Sequence, residues 1–405
     1  MTQAQLAELS RILYSPVTLA LYVTAAIVLL GALTQNVGAA AGARDGESRG
    51  ARELMTRRVG LALAWAGVAT HVAHEVVRGL AQSRFPLGNM FEVTSLMALI
   101  GVAGGLWYVA RRRRDELAGF VMLGGTLVLG LALLMYAEPG PLMPILDTWW
   151  RHFHVSLLVG AMGVFAAGFL FTSLYLLADT ARGEGGQAPR GRVHGPDGPD
   201  GADLQLDADG GGGGGGVGVA VGADGAVATA VAAGVSPAAL RARIPAVRLA
   251  VGTFLGTSLV SWVWLWPTAT DSTADGVRRV LTVNLVMVAA ALIARHFSPY
   301  LPSTDVLDSV GHRLIAFAFV LWTVGTIAGA MWAEQSWGRF WGWDPKETGA
   351  FLTWIAYAGY LHGRATRGVR GRSAAWIGVG AFVTLMATYL VANYVIVGLH
   401  SYAGL

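Results

Sequence analysis

Residues 154–177 read HVSLLVGAMGVFAAGFLFTSLYLL, a run without a single Asp, Glu, Lys or Arg, and they decide the class of fold. At about 1.5 Å per residue such a helix crosses a hydrocarbon layer of about 30 Å, which takes roughly 20 residues. A membrane β-strand would alternate apolar and polar side chains over about ten residues, whereas this run is continuously apolar with Gly and Ala interspersed. The pattern predicts a helix and excludes a barrel. Further apolar stretches lie near 16–33, 59–77, 91–110, 117–136, 247–266, 280–295, 313–333, 349–362 and 374–397. Two of them, 280–295 and 349–362, are short enough to be tilted or interfacial. The expectation is therefore an all-α polytopic membrane protein with about eight to ten transmembrane helices.

Composition agrees, since the 405 residues are 54% hydrophobic and only 13% charged, away from the usual soluble balance. The first stretch lacks a basic leader and is longer than a signal-peptide core, so it reads as a retained helix. With no cysteine, the chain has no disulfide, thiolate metal site or thiol intermediate of its own. The net charge of +4 does not point to nucleic acid, because the arginines gather beside apolar spans. Arg44, Arg49, Arg52, Arg57 and Arg58, then Arg111 to Arg114, then Arg364, Arg367, Arg370 and Arg372 mark three cytoplasmic loops. Alternation then puts the loops near 78–90, 137–153, 267–279 and 334–348, with both termini, on the extracytoplasmic side. Residues 178–246, with a glycine run from Gly210 to Gly216, read as a disordered cytoplasmic linker. It separates a helix group at 1–177 from a second group at 247–405.

Residues 331–350, MWAEQSWGRFWGWDPKETGA, crowd Trp332, Trp337, Trp341 and Trp343 into one external segment. An interfacial aromatic belt is the bland reading. A belt does not require Gly, Asp, Pro, Lys, Glu and Thr between the indoles, and flat aromatic faces suit a flat conjugated ligand such as a porphyrin. Lys346 is the one lysine among 29 Lys and Arg residues, and its ammonium, like the guanidinium of Arg339, suits a carboxylate of that ligand. Asp344 and Glu347 suit fixing this segment through helix capping and ion pairing more than touching a ligand, and Pro345 suits the first turn of the next helix.

An iron porphyrin needs axial ligands, and without cysteine these fall to histidine. His154 opens one span on the external side and His400 follows the last span on the same side. For either one alone, an interfacial histidine with no ligand is an equally good reading. His362 closes the ninth span at its cytoplasmic end, where it can snorkel or ligate at an inner site whose second ligand the chain does not obviously supply. His71 and His74 share a helix face, and a structural pair hydrogen-bonded to neighbouring helices is preferred over a metal site.

The segment WGRFWGWDPKET (337–348) resembles the tryptophan-rich WWD signature of haem-handling proteins, in the longer form of the CcsA or ResC branch of System II cytochrome c biogenesis. FPLGNMFE (85–92), WRHFHVSLL (150–158) and NYVIVGLHSYAG (393–404) are similar to three further segments of that family. The resemblance implies that His154 and His400 are the external axial pair for the iron of haem b. It also implies that Trp337, Trp341, Trp343, Asp344, Lys346 and Arg339 belong to the haem platform within 332–348, and that His362 belongs to an inner haem site completed by a CcsB or ResB partner. The implied activity is presentation of haem for thioether attachment to CxxCH of apocytochrome c, as part of a holocytochrome c synthase in the bacterial plasma membrane. A thiol-reducing partner would keep the client cysteines reduced. A haem carrier without attachment activity and a secondary transporter of another solute are the competing readings. One departure is Gly349, where the family usually has Trp after PKET.

Overall fold

Thr2 caps the first helix through a reciprocal pair with Gln5, and from there the described residues are helical almost throughout. The structure, a computed structural model, describes residues 1–40, 46–140, 148–183, 236–265, 273–394 and 396. The helices are α1 (Gln3–Ile12), α2 (Leu19–Ala40), α3 (Gly46–Gln82), α4 (Met90–Arg111), α5 (Ala118–Leu134) and α6 (Trp149–Arg182). There follow a short α7 (Pro237–Ala242), α8 (Ala246–Leu265), α9 (Thr273–Phe297), α10 (Thr304–Trp337), α11 (Pro345–Thr366) and α12 (Gly371–Tyr394). Between α1 and α2 the segment Leu13–Thr18 carries Pro16 and a non-helical Ser15, so the first span is kinked. No strand occurs among the described residues, and the expected all-α membrane fold is what is found.

Seven of these helical segments are long and apolar enough to cross a bilayer by themselves. The other three expected stretches are helical as well, on α3, α8 and α11. Polar side chains dilute two of them, since α3 carries His71, His74, Glu75 and Arg78 and α11 opens on a polar turn. Several helices outrun their apolar windows, because caps rather than hydropathy stop them. Of the linker expected at 178–246, residues 184–235 lie outside the described residues, while its ends are helical: α6 runs to Arg182, and α7 and the start of α8 occupy the other end.

The antiparallel pair of α6 and α10 forms the spine of the bundle, each about 50 Å long at 34 residues. Gly168 and Thr172 meet Gly311 and Ile315 at one end, while Leu158 meets Gly325 and His154 meets Gly329 at the other. Small residues let the two backbones approach where lipid gives no hydrophobic drive for helix association. The hairpins α4–α5 and α11–α12 pack against this spine, α2–α3 packs in turn on α4–α5, and α8–α9 lies beside α5 and α12.

Polar contacts tie the two ends of the bundle separately. At one end Arg151 Nη1 donates to Leu87 O (3.0 Å) and Arg84 to Gly140 O. At the other, Arg364 makes two 2.7 Å bonds to Asp308, Arg372 reaches Asp179 at 2.7 Å, and Arg182 reaches Leu301 O at 2.6 Å. Loops that the arginine pattern assigns to one side thus meet one another.

Candidate functional site

α10 stops at Trp337 because Gly338 adopts a left-handed conformation (φ 68°) and closes the last turn onto Glu334 O. α11 starts seven residues later on a capping box in which the Asp344 carboxylate and the Glu347 side chain satisfy each other's amides, with Pro345 in the first turn. The tryptophan segment read from sequence as an external loop is consequently shorter, spanning 338–344. Trp332 and Trp337 stand on the last turns of α10 instead.

Glu347 is the organiser of this loop. Its buried Oε2 accepts from the amides of Gly342 (2.7 Å) and Asp344 (3.1 Å), and Arg339 Nη1 stands 3.7 Å away. The Arg339 guanidinium lies over Gly342, in the space a side chain there would need. Arg339 therefore turns to Glu347. Trp343 has φ 58°, a left-handed backbone that costs a bulky residue about 1–3 kcal/mol, and its indole is 63% exposed. It stands perpendicular to Trp341 at 5.8 Å.

Beneath the loop, α6, α10, α11 and α12 enclose a cleft with about 770 Å³ of empty space, counting its open mouth. His154, Trp322, Trp341, Lys346 and Tyr389 line it, while Trp337, Trp343 and Arg339 do not. Trp322, one of the lining residues, stands edge-on to Phe165, which stacks on Tyr357 (3.8 Å, 11°).

His154 is held with little freedom. Its Nδ1 lies 2.7 Å from Gly325 O; a carbonyl only accepts, so Nδ1 carries the proton and Nε2 the lone pair. That is the tautomer a metal-ligating imidazole uses, with its second nitrogen oriented by a backbone carbonyl. Gly329 faces the ring, and a Cβ there would lie 2.5 Å from Cε1. Trp332 stacks on the imidazole (6.2 Å, 23°) and Trp337 backs Trp332 at 5.2 Å.

Lys346 sits at the cleft in the first turn of α11, and burial lowers its pKa from 10.5 to about 8, with Asp344 opposing the shift. An anion arriving beside it would restore its charge. Gly349 packs against Thr388, 2.6 Å from where a Cβ would be, and Thr388 Oγ1 donates to Gly349 O (2.9 Å). This close contact is why the chain carries glycine where a tryptophan was expected by resemblance.

His400 lies outside the described residues. His362 is exposed near the end of α11, one turn before the arginine-rich connection to α12. His71 and His74 are not at the cleft. In a buried chain on the other side of the bundle, Tyr22 O–H donates to His71 Nδ1 (3.1 Å), His71 Nε2 to Ser95 Oγ (3.0 Å), and Ser95 to Glu75 Oε1 (2.6 Å). His74 Nδ1 donates to Ser10 O at 2.8 Å. Among the described residues no group of three or more His, Asp or Glu could hold a metal ion.

Sequence reasoning missed Gly329, Trp322, Trp332 as the partner of His154, and Tyr389. Their signal was present in part: Trp322, Gly325, Gly329 and Trp332 recur at helical spacing and share one face of α10.

The family model described as Cytochrome C assembly protein matches residues 87–400, which include the cleft on all four helices. The chain is 50% identical over 101 residues to the cytochrome c biogenesis protein CcsA of Gloeobacter violaceus, covering 25% of this chain and 30% of the relative. It is 28% identical over 354 residues to CcsA of Rippkaea orientalis (85% and 86%), and 43% over 123 residues to CcsA of Gloeothece citriformis (30% and 36%). The chain thus spans about a third of the length of two of these relatives and most of the third. With four helices converging on a cleft beneath a tryptophan loop, and a match that runs across all of them, the chain belongs to the cytochrome c assembly protein family.

Proposed function

We propose that this membrane protein binds haem b in the cleft, on the extracytoplasmic side, and presents it for covalent attachment to a c-type apocytochrome. One observation carries the reading. His154, held through Nδ1 by Gly325 O, lines a cleft that is also lined by an indole, Trp341, and by Lys346. An iron ligand, an apolar flat surface and a carboxylate partner are the groups a haem engages.

In this reading His154 supplies one axial ligand and His400 the other. Lys346 pairs with a propionate, and the Trp332–Trp337 stack keeps the His154 ring in plane. Each client CxxCH cysteine adds across one vinyl group, its sulfur bonding the carbon next to the ring and its proton going to the terminal carbon. The addition leaves no net redox change. The client histidine then replaces one axial ligand, and the protein contributes orientation and exclusion of water.

His362, exposed near the inner end of α11, is the contribution of this chain to an inner haem site shared with a CcsB or ResB-type partner. A separate reductant keeps the client thiols reduced, since this chain has no cysteine. The test is expression with such a partner and an apocytochrome in a host lacking its own attachment system. Covalent haem on the client that is lost with His154→Ala supports the proposal. Haem bound to the membrane protein without covalent product makes it a carrier, and no haem at all overturns the site.

A further inference from the structure

The end of the bundle opposite the cleft carries a cluster of arginines that the haem reading does not use. It lies about 40 Å from His154 along α6, where α6, α7 and α9 end. Arg243, the residue after α7, donates from Nη1 to the carbonyl of Arg182 at the end of α6 (2.7 Å), and so joins the described residues on the two sides of 184–235. Gly183 makes room for this contact. With φ 72° it closes α6, and a Cβ there would lie 3.0 Å from Nη1 of Arg243. Arg295, in the last turn of α9, donates from Nε to Ile244 O (2.7 Å) and from Nη2 to Arg241 O (3.0 Å). Arg241 in turn donates from Nε to Pro237 O (3.2 Å) and from Nη1 to Nδ1 of His296 (3.2 Å).

The carbonyls of Arg182, Arg241 and Ile244 stand at the ends of α6 and α7, so the cluster acts as a C-cap shared by two helices. Its charge exceeds what capping requires. A helix C-terminus carries about half a negative charge, so two of them set about one negative charge against three guanidinium ions. Every hydrogen bond of Arg241, Arg243 and Arg295 among the described residues goes to a carbonyl or an imidazole, and none of the three has a carboxylate partner there. Asp179, one turn before Arg182 on α6, is already bound to Arg372 at 2.7 Å. About two positive charges are thus left over at the edge of the apolar part of the bundle.

We propose that Arg241, Arg243 and Arg295 form a binding site for an anionic phosphate group, supplied by the headgroup of an acidic phospholipid or by free phosphate. Arg243 spends one of its five N–H donors on carbonyls of the chain, and Arg241 and Arg295 spend two each, so most remain for phosphate oxygens. A planar guanidinium offers them in pairs that match phosphate geometry. The carbonyl bonds also fix the three side chains beforehand, which lowers the entropy lost on binding. The site takes its residues from α7, its C-cap and α9, and a bound phosphate would tie these elements and the end of α6 together.

The test uses the full chain with its partner in vesicles of phosphatidylcholine containing phosphatidylglycerol as the minor lipid. Lipid retained by the protein after extraction is counted by native mass spectrometry for wild type, Arg243→Gln, Arg295→Gln and Arg58→Gln. Glutamine keeps an N–H for the carbonyl and removes the charge. Arg58 is exposed on α3, on the side to which the arginine pattern also assigns the cluster, and takes no part in it. The wild type should retain phosphatidylglycerol in preference to phosphatidylcholine, each cluster variant about fivefold less, the factor expected for one charge, and Arg58→Gln as much as wild type. Added inorganic phosphate separates the two sources: displacement of the lipid makes free phosphate the ligand, and undiminished retention makes it the headgroup. A wild type that prefers neither lipid and binds no inorganic phosphate overturns the proposal. So does an equal loss in Arg58→Gln, which would mean a field spread over the whole face. The wild-type preference and the Arg58→Gln control stand if a cluster variant does not fold.

Discussion

His71 and His154 are both histidines on membrane helices with a ring nitrogen held by a neighbour, and they differ in their surroundings. At His71 both nitrogens are engaged, by Tyr22 and Ser95, in a buried chain that ends on Glu75. At His154 the backbone carbonyl of Gly325 accepts from Nδ1 and the residue lines a cleft walled by four helices. A buried histidine is structural when its partners use up both nitrogens; it is ready for a ligand when a carbonyl fixes the tautomer and the remaining side opens on a cavity. Glycine makes the difference on α10, because Gly329 leaves the imidazole room to lie flat on the helix.

The strongest way to break this contrast is Gly329→Val, which puts two methyl groups into the imidazole. Haem content per protein, read from visible absorbance, should fall on the order of 100-fold while the helical content holds. Wild-type haem content in that variant would mean that His154 does not need its present orientation.

Glu347→Ala comes next. It leaves the Gly342 and Asp344 amides without their acceptor, and thermal unfolding should show a loss of about 2–3 kcal/mol, with Trp341 and Trp343 becoming mobile by fluorescence anisotropy. Glu347→Gln, which keeps an acceptor oxygen, should lose less than half as much. Equal losses would point to the charge and its pairing with Arg339 instead.

His71→Ala sharpens the comparison from the other side. Removing a doubly bonded buried ring should destabilise the protein by about 1–3 kcal/mol and leave the haem spectrum unchanged. A changed spectrum would bring the buried chain into the site.

The smallest effect concerns pH. In the empty cleft Lys346 titrates at about 8 instead of 10.5, so its charged form is disfavoured there, and the empty protein gains stability as pH rises from about 8 to 10.5. A bound carboxylate favours the ammonium and raises that pKa again. Haem affinity should therefore be level below pH 8 and weaken by up to tenfold over the next unit. Titrations of Lys346→Gln should lack that bend.

The membrane fold was legible because continuous apolar runs have one stable solution in lipid, and helix existence followed from hydropathy. Boundaries were less legible: the Gly338 turn and the Asp344–Glu347 box, not hydropathy, define the loop, and the run of Trp in sequence hid that Trp332 and Trp337 belong to α10. His154, Trp341 and Lys346 were legible as candidates because few chemical groups serve a haem. Trp337, Trp343 and Arg339 looked equivalent to them in sequence, since one dimension does not tell which side of a seven-residue turn a side chain takes. The long-range contacts of residues 85–94 were invisible for a related reason: Arg151 to Leu87 O and Tyr389 to Thr94 join residues 64 and 295 positions apart, and no local spacing encodes them.

The most direct test is the visible spectrum of the full chain, purified with its partner, as wild type and as His154→Gly, each with and without imidazole. A low-spin haem in the wild type, lost in the variant and regained with imidazole in the vacated space, is the predicted result. A variant that keeps the wild-type spectrum without imidazole would contradict the assignment of His154 to the iron.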